Sequence, residues 1–295
     1  MTVVAVTGAA GYLGGRLVAH LREQREQHPV LTLDRTGDTD LKEACAGADA
    51  VVHLAGANET VAAEEPERAL AETVAATWEM GRAAAEAGVR RFVYVSTVHV
   101  YGPAPEGAVL DERTLPAPRG AYAVARLASE HAAASQDLDL VVLRLTNAVG
   151  APASPAVRRW TLVANDLCRQ AATAGSLRLR SDGSQWRDFV PLSDVVEILT
   201  ASLDRDAVPA GTYNLGSGVS TNVRQLAELV QDVFESLTGS RPPLHAPVPA
   251  SEPPKPHLVS VKRLADLGLR ASGDLRGAVE ETARFCLDHR DALPT

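Results

Sequence analysis

A glycine-rich segment close to the start of the chain constrains the fold most strongly. Gly8, Gly11 and Gly14 directly follow the apolar run Val3–Thr7, which reads as a β-strand, and they open the helical pattern Tyr12–Gln24. Glycine is needed where the backbone turns sharply, where a diphosphate approaches main-chain N–H groups, and where a helix packs closely on a strand. A helix N-terminus here also turns the positive end of its dipole toward phosphate. The segment predicts a dinucleotide site, and the alternative is a glycine-rich turn without a ligand.

A carboxylate after the second predicted strand, Val30–Leu33, strengthens this prediction. Asp34 lies 20 residues beyond Gly14, where an acid can accept hydrogen bonds from the adenosine ribose hydroxyls. Asp34 favours NAD because it would repel the 2′-phosphate of NADP. Arg35 beside it could accommodate that phosphate, so both cofactors stay open.

Short β-rich runs alternate with longer helical patterns along the first half of the chain. This alternation predicts an α/β fold, a Rossmann-type doubly wound parallel sheet. The stretch between Asp34 and Ala50 is too short for a full helix-plus-strand crossover, so we expect a trimmed connection. The other predicted elements are the strands Ala50–Leu54, Arg91–Ser96, Leu140–Leu145 and Thr212–Leu215, the helices Pro66–Ala87, Tyr122–Ser135, Trp160–Ala174, Ser193–Leu203, Thr221–Thr238 and about Asp274–His289, and the proline-rich connector Arg241–Pro256.

The order of elements changes after Gly150, which predicts a small C-terminal substrate-binding lobe. Ligands of open α/β sheets bind at the carboxyl edge of the strands, and we expect the lobe to lie over that edge. The predicted dinucleotide-binding domain comprises residues 1–150 and about 186–218. The predicted lobe comprises about 151–185 and 219–295.

Composition limits the function classes. A formal charge of −8 over 295 residues argues against nucleic acid or an anionic membrane surface as a partner. The three cysteines, Cys45, Cys168 and Cys286, have no metal-site or disulfide-framework spacing. No apolar run is long enough to span a membrane. We therefore expect a soluble cytoplasmic protein without a metal site, and we expect His53, within a predicted strand, to be structural.

Several ordered motifs resemble the extended short-chain dehydrogenase/reductases, the NAD-dependent nucleotide-sugar epimerase/dehydratase family. They are the G-x-x-G-x-x-G segment, Val52–Gly56, Phe92–Thr97 ahead of Val100–Gly102, Tyr122 with Glu130, Leu143 and Arg144 with Asn147 and Gly150, Arg187–Val190, and Tyr213–Gly216. The resemblance implies an NAD(P)-dependent enzyme and a homodimer formed through Pro66–Ala87 and Tyr122–Ser135. The residues that it assigns to the cofactor are Gly8, Gly11, Tyr12, Leu13, Gly14, Asp34, Arg35, Leu54, Ala55, Gly56, Tyr122 and Arg126.

The resemblance also assigns catalytic roles. Tyr122 is the expected acid/base and Thr97 the residue that orients the substrate oxygen. The family has a lysine four residues after the tyrosine, on the same helix face, but this chain has Arg126. An arginine is a permanent cation and should still lower the pKa of a phenol from about 10 toward neutrality. Its planar fork does not simply reproduce the grip of lysine on a ribose.

Three interpretations of Arg126 stay open. The first is a working Thr97, Tyr122 and Arg126 set, since the chain has only three lysines among its 29 basic residues. The second is a modified mechanism in which His99, with an ordinary pKa near 6.5, takes part in proton transfer. The third is lost catalysis. The 4,6-dehydratases carry an acidic pair where this chain has Val98 and His99, so that dehydration is not expected.

The resemblance places the substrate at Asn147 and Arg187, which match family residues that contact a nucleotide diphosphate. A bidentate guanidinium suits that task, and the alternative for Arg187 is a surface ion pair with Asp188. The implied reaction is hydride transfer at a hydroxyl or keto carbon, C4, of a nucleotide-activated sugar, by an epimerase or a ketoreductase. The alternatives are a ketoreductase for a secondary-metabolite ketone such as a polyketide, and a non-catalytic dinucleotide-binding sensor.

Overall fold

The structure, a computed structural model, describes residues 1–24, 26–33, 40–248 and 254–294. Its strands are β1 (Val4–Thr7), β2 (Val30–Leu33), β3 (Ala50–His53), β4 (Arg91–Thr97), β5 (Val109–Leu110), β6 (Asp139–Leu145), β7 (Asn147–Val149), β8 (Leu177–Arg178), β9 (Trp186–Pro191), β10 (Gly211–Leu215), β11 (Ser220–Asn222), β12 (Leu244–His245) and β13 (Leu258–Val259). Its helices are α1 (Tyr12–Glu23), α2 (Leu41–Ala44), α3 (Glu59–Glu64), α4 (Pro66–Glu86), α5 (Gly120–Ala134), α6 (Val163–Ala174), α7 (Leu192–Ala201), α8 (Val223–Thr238), α9 (Lys262–Asp266) and α10 (Leu275–Asp288), with 3₁₀ turns at Val98–Tyr101 and Arg290–Ala292.

Six parallel strands form the central sheet in the order β10-β6-β4-β3-β1-β2. Strands β1, β3 and β4 are buried along their whole length, which explains why their sequences are nearly continuous apolar runs. Helices α1 and α7 contribute to the core on one face, through Leu17 and Val195, and α4 and α5 contribute on the other, through Met80 and Ala133. The Rossmann-type α/β prediction is confirmed.

The chain reverses its direction across the sheet at β1. From this strand it goes outward to β2 on one side, and on the other side it goes on to β3, β4, β6 and β10. Ligands of such sheets bind at the carboxyl ends of the strands beside this reversal. The trimmed connection before β3 holds only the four-residue helix α2 in its described part, residues 40–49. Asp34 and Arg35 lie outside the described residues.

A second hydrophobic core lies beneath α6, α8 and α10. Leu167, Val230 and Val279 are buried together there. Helix α8 begins at Val223 because Asn222 and Gln225 form a reciprocal capping box. This grouping of C-terminal elements is compatible with the predicted lobe, but the division of the chain into domains remains a prediction. Among the described helices, none combines the length and the apolar character needed to cross a membrane.

Candidate active site

The carboxyl ends of β1, β3, β4 and β6 meet around a cavity of about 270 Å³. Each strand leads directly into a short segment that lines the cavity, because parallel strands present their carboxyl ends at one edge of the sheet. The predicted site residues that line it are Gly8, Gly11, Tyr12, Leu13, Gly14, Leu54, Gly56, Thr97, His99, Tyr122, Arg126 and Asn147. Ala55 and Arg187 are described but do not line it. A larger cavity, about 720 Å³, is lined by His20, Arg90 and neighbouring residues and contains no predicted site residue.

The glycine segment has the geometry that a dinucleotide diphosphate requires. Gly8 adopts φ +66°, and a Cβ added there would lie 3.1 Å from the backbone nitrogen of Ala55. A Cβ on Gly14 would lie 2.0 Å from the carbonyl oxygen of Gly8. Gly11 caps α1 without a side-chain hydrogen bond, and the first turn of α1 has no acidic residue. The first N–H groups of α1 therefore remain available for an anion at the cavity.

Tyr12 lines the cavity, and its hydroxyl is held by hydrogen bonds. Its hydroxyl donates a hydrogen bond of 2.6 Å to the carbonyl oxygen of Gly150 and a longer one of 3.4 Å to Asn165 Oδ1. Asn165 is buried, so it does not belong to a solvated helix face. The Tyr12 side chain thus joins α1 to α6, which the glycine motif alone did not indicate.

Thr97, His99 and Tyr122 meet at the end of β4. The Oγ1 atom of Thr97 accepts a hydrogen bond of 3.2 Å from the His99 backbone N–H, which starts the 3₁₀ turn. The His99 and Tyr122 rings lie edge to face with their centroids 6.3 Å apart. His99 is therefore close enough to the predicted catalytic tyrosine to affect it, as the modified-mechanism hypothesis requires.

Arg126 lies on the same helix face as Tyr122, as its spacing predicts. Its guanidinium carbon is 5.5 Å from the centroid of the Tyr122 ring. The side chain is buried and donates long hydrogen bonds to the carbonyl oxygens of Val95, at 3.4 Å, and Ala57, at 3.5 Å. The structure thus places a buried cation beside the phenol.

The net shift of the Tyr122 pKa is opposite to the lowering that the sequence predicts. Burial raises the pKa of Tyr122 above its ordinary value, and the Arg126 charge lowers it by less than burial raises it. Arg126 acts in the predicted direction but does not bring the phenol toward neutrality, because desolvation of the phenolate is the larger effect. The pKa of His99 lies below its ordinary value, chiefly because the cavity walls desolvate the imidazolium and secondly because of the Arg187 charge.

Asn147, the first residue of β7, lies close to Arg187 on the neighbouring strand β9. The Nη1 atom of Arg187 donates to Asn147 Oδ1 at 3.5 Å, and Asn147 Nδ2 donates to the Asp188 carbonyl oxygen at 2.8 Å. The Asp188 carboxylate accepts hydrogen bonds from Thr146 and Ser217. The alternative ion pair of Arg187 with Asp188 does not form. Arg187 is exposed as a whole residue, but partial burial of its guanidinium lowers its pKa.

The lining of the cavity includes an ion pair that the sequence did not predict. Arg159, in the segment before α6, donates to Glu59 at the start of α3 at 2.9 Å. Burial alone would raise the pKa of Glu59, but the Arg159 charge, hydrogen bonds from the backbone and from Arg159, and the nearby His99 together more than offset this, so the pKa lies below its ordinary value. Residues 59 and 159 are 100 positions apart, so no local pattern could pair them. The one available signal was that Glu59 follows a strand that ends at the predicted site.

His53 is structural, as predicted. Its Nδ1 atom lies 2.8 Å from Thr7 Oγ1 and its Nε2 atom 3.2 Å from Thr77 Oγ1, and the ring is buried. Desolvation lowers the pKa of His53 to about 3, with a smaller contribution from Arg126. Across residues 1–24, 26–33, 40–248 and 254–294, no group of three metal-ligating side chains converges.

Known proteins resemble this chain along most of its length. The model of the NAD dependent epimerase/dehydratase family matches residues 4–216. GDP-6-deoxy-D-mannose reductase of Pseudomonas aeruginosa is 28% identical over 249 residues, 78% of this chain and 79% of that protein. The solved structure of MoeE5 in complex with UDP-glucose and NAD is 26% identical, with a TM-score of 0.81 over 98% of this chain and 99% of that one.

A second solved structure gives the same result. RMD from Pseudomonas aeruginosa complexed with NADPH is 25% identical, with a TM-score of 0.81 over 98% of this chain and all of that one, 100%. The family match covers well over half of the chain, and the two structures agree with it in fold. The chain belongs to the NAD dependent epimerase/dehydratase family and is an NAD(P)-dependent enzyme of the extended short-chain dehydrogenase/reductase type.

Proposed function

We propose that this enzyme transfers hydride at a hydroxyl or keto carbon, C4, of a nucleotide-activated sugar, as an epimerase or a ketoreductase. One observation carries the proposal: a single cavity joins the glycine segment to Thr97, Tyr122 and Arg126, with Asn147 at its edge. The names of the relatives support the substrate class, since one is a GDP-sugar reductase and another was solved with UDP-glucose. When bound, the dinucleotide accepts or supplies the hydride.

Tyr122 and Thr97 handle the substrate oxygen in this proposal. Thr97 Oγ1 accepts the His99 N–H, which leaves the Thr97 hydroxyl proton for donation to that oxygen. Because burial holds the pKa of Tyr122 high, the phenol is protonated at neutral pH and can give its proton to a ketone oxygen. In the opposite direction the phenol must first lose its proton, and the neighbouring Arg126 charge favours that loss.

Asn147 and Arg187 are proposed to hold the nucleotide diphosphate. The guanidinium of Arg187 forms no ion pair with a carboxylate among the described residues, and it donates a hydrogen bond to Asn147. A planar fork with free donors binds a diphosphate well. We expect Arg187→Ala to raise the KM for the nucleotide sugar. Unchanged turnover after this substitution would favour a ketone substrate without a nucleotide.

The homodimer is also a proposal. Helices α4 and α5 pack against each other on one face of the sheet, and each exposes an apolar side chain outward. Trp78 on α4 is 49% exposed and Val124 on α5 is 40% exposed. A shared interface through these helices would cover both side chains.

The first test is the nucleotide content of freshly purified protein, measured by chromatography after denaturation. Retained NAD would indicate an epimerase, which returns the same hydride. Empty protein that binds NADH or NADPH reversibly would indicate a net reductase. Protein that binds neither would contradict the catalytic proposal.

The second test is Tyr122→Phe, assayed with UDP-, dTDP- and GDP-sugars and their 4-keto derivatives. Loss of the acid/base should lower kcat by about 10²- to 10⁴-fold, while the Kd for the dinucleotide stays within about two-fold of the parent. Tyr213→Phe is the matched control, because the Tyr213 hydroxyl bonds to the Pro209 carbonyl oxygen away from the cavity. Unchanged turnover of Tyr122→Phe would remove Tyr122 from the mechanism.

A further inference from the structure

The Arg126 guanidinium is held in an unusual environment for a buried cation. Its residue is only 8% exposed, and no carboxylate among the described residues forms an ion pair with it. Its two hydrogen bonds, to Val95 and Ala57, are both at the long end of the range. Its Nε atom is buried without a hydrogen-bond partner in the described part of the chain. Its placement must therefore depend on shape and on the groups that surround it.

Gly56 leaves free the space that the Arg126 guanidinium occupies. A Cβ added at Gly56 would lie 3.2 Å from Nη2 and 3.3 Å from Cζ of Arg126, closer than ordinary contacts. The same Cβ would lie 2.9 Å from Thr73 Cγ2, and φ at Gly56 is +145°, which side chains rarely adopt. The branched end of the arginine thus occupies space that only a glycine leaves free. A lysine ends in one nitrogen and has no branch to place there.

Tyr94 supplies a polar neighbour. It is fully buried, and its hydroxyl is a second buried group without a hydrogen-bond partner in the described chain. Burial alone would lower the pKa of Arg126, but interactions with Tyr94, Tyr122 and the Glu59 carboxylate together more than offset this and raise it. The Nε–H of Arg126 can only donate and the Tyr94 oxygen can accept. A hydrogen bond from Arg126 Nε–H to the Tyr94 oxygen would therefore satisfy both buried groups.

We propose that Gly56 and Tyr94 are positioning residues for Arg126, which together hold its guanidinium beside Tyr122. Gly56 gives the fork its space, and Tyr94 restrains its inner nitrogen. This inference rests on the proposed function in one respect only, namely that Arg126 takes part in catalysis. The position is thus built for an arginine and does not merely tolerate one.

A consequence is that arginine and lysine are not interchangeable here. Arg126→Lys leaves the space above Gly56 empty and the Tyr94 hydroxyl without its neighbour. The same argument predicts that Tyr94→Phe loses its effect once the fork is gone, and that Gly56→Ala keeps only the part that comes from its φ and from Thr73. Coupling between positions, rather than the size of any single effect, is therefore the quantity to measure.

The experiment is a pair of double-mutant cycles, Gly56→Ala with Arg126→Lys and Tyr94→Phe with Arg126→Lys. One readout is the Kd for NADH, from fluorescence titration. The other is the ¹H–¹⁵N signal of the Arg126 Nε–H, assigned by its loss in Arg126→Lys. Neither readout depends on turnover, so an enzyme inactive on every nucleotide sugar would contradict the proposed function and leave this inference testable.

We expect Tyr94→Phe to shift the Nε–H signal and to speed its exchange with solvent at least about ten-fold. We expect Gly56→Ala and Tyr94→Phe to raise the NADH Kd at least about five-fold with Arg126 present. In the R126K background Tyr94→Phe should change the Kd by less than about two-fold, and Gly56→Ala should change it less than with Arg126 present. Tyr213→Phe, the matched control, should leave the signal and the Kd unchanged.

Equal effects on the Kd in both backgrounds would overturn the proposal. An Nε–H signal unaffected by Tyr94→Phe would overturn the role of Tyr94. The Gly56→Ala variant can fail to fold because of its φ and the Thr73 contact. In that case the double-mutant cycle of Tyr94→Phe with Arg126→Lys tests the proposal. Tyr94→Phe removes one hydroxyl and leaves the ring in the core.

Discussion

Replacing Glu130 by glutamine tests a buried ion pair that lies beneath the candidate active site. Arg144 donates to Glu130 through Nη2 at 2.7 Å and through Nε at 3.1 and 3.3 Å. The two side chains are 7% and 8% exposed. Ser96, the residue before Thr97, also donates to Glu130. The pair therefore holds the end of β4, the strand that presents the threonine.

The expected cost follows from this geometry. Glutamine keeps one acceptor oxygen but leaves the Arg144 charge uncompensated in a site without water access. Breaking a buried pair in this way destabilises a protein by about 3–5 kcal/mol. For a chain of this size that loss lowers Tm by on the order of 10 °C.

Urea unfolding followed by tryptophan fluorescence measures the loss, provided that the m-values of parent and variant agree. Glu280→Gln is the control, since its pair with Arg284 has exposures of 60% and 40% and should contribute at most about 1 kcal/mol. Glu130→Leu combined with Arg144→Met should cost less than Glu130→Gln alone, because it removes both charges. A loss for Glu130→Gln no larger than for Glu280→Gln would show that the buried charge argument is wrong.

Three further predictions concern the cavity, the core and the surface. Glu59→Gln should change the KM for the nucleotide sugar several-fold, because it removes the charge that pairs with Arg159 in the lining of the cavity; an unchanged KM would contradict a role of this pair in substrate binding. His53 stays neutral in the fold until about pH 3 but takes up a proton near pH 6.5 when unfolded, so it lowers stability as the pH falls below 6.5, by up to about 1.4 kcal/mol per pH unit. In urea unfolding at pH 7.5 and 5.5, His53→Gln should therefore lose less stability on acidification than the parent, and an equal loss would contradict the assignment. Trp78→Glu should convert the proposed dimer to a monomer in light scattering, whereas Trp186→Glu, away from α4 and α5, should not.

The sequence allowed the central sheet to be predicted because the signals for it are local. Continuous apolar runs mark buried parallel strands, and the helix patterns between them are long enough to read. The helix boundaries differ by a few residues where tertiary contacts decide. The predicted helix from Trp160 begins at Val163 instead, because the backbone is extended at Leu162, the N-cap, with φ −70° and ψ 131°.

The edge strands and the cross-cavity contacts could not be predicted. Strand β9 pairs with β7 and β11, which are only three residues long, and no periodicity survives in such short segments. The Glu59–Arg159 pair depends on the approach of two distant segments. The prediction that the Tyr122 pKa is lowered was wrong for a related reason. A sequence shows the neighbouring charge but not the burial that outweighs it.

The bonds around the first turn of α1 limit how the molecule can open. The Tyr12 hydroxyl reaches Gly150 and Asn165 across 138 and 153 residues of chain. One turn later, Arg16 pairs with Glu281 of α10. These contacts tie α6 and α10 to the start of α1, directly after the glycine segment.

The Glu59–Arg159 pair also lines the cavity, and its members are 44% and 20% exposed. A single exchangeable ion pair separates more easily than the buried contacts of Tyr12. We therefore expect any opening of the cavity to begin at the Glu59–Arg159 pair, with the Tyr12 contacts kept.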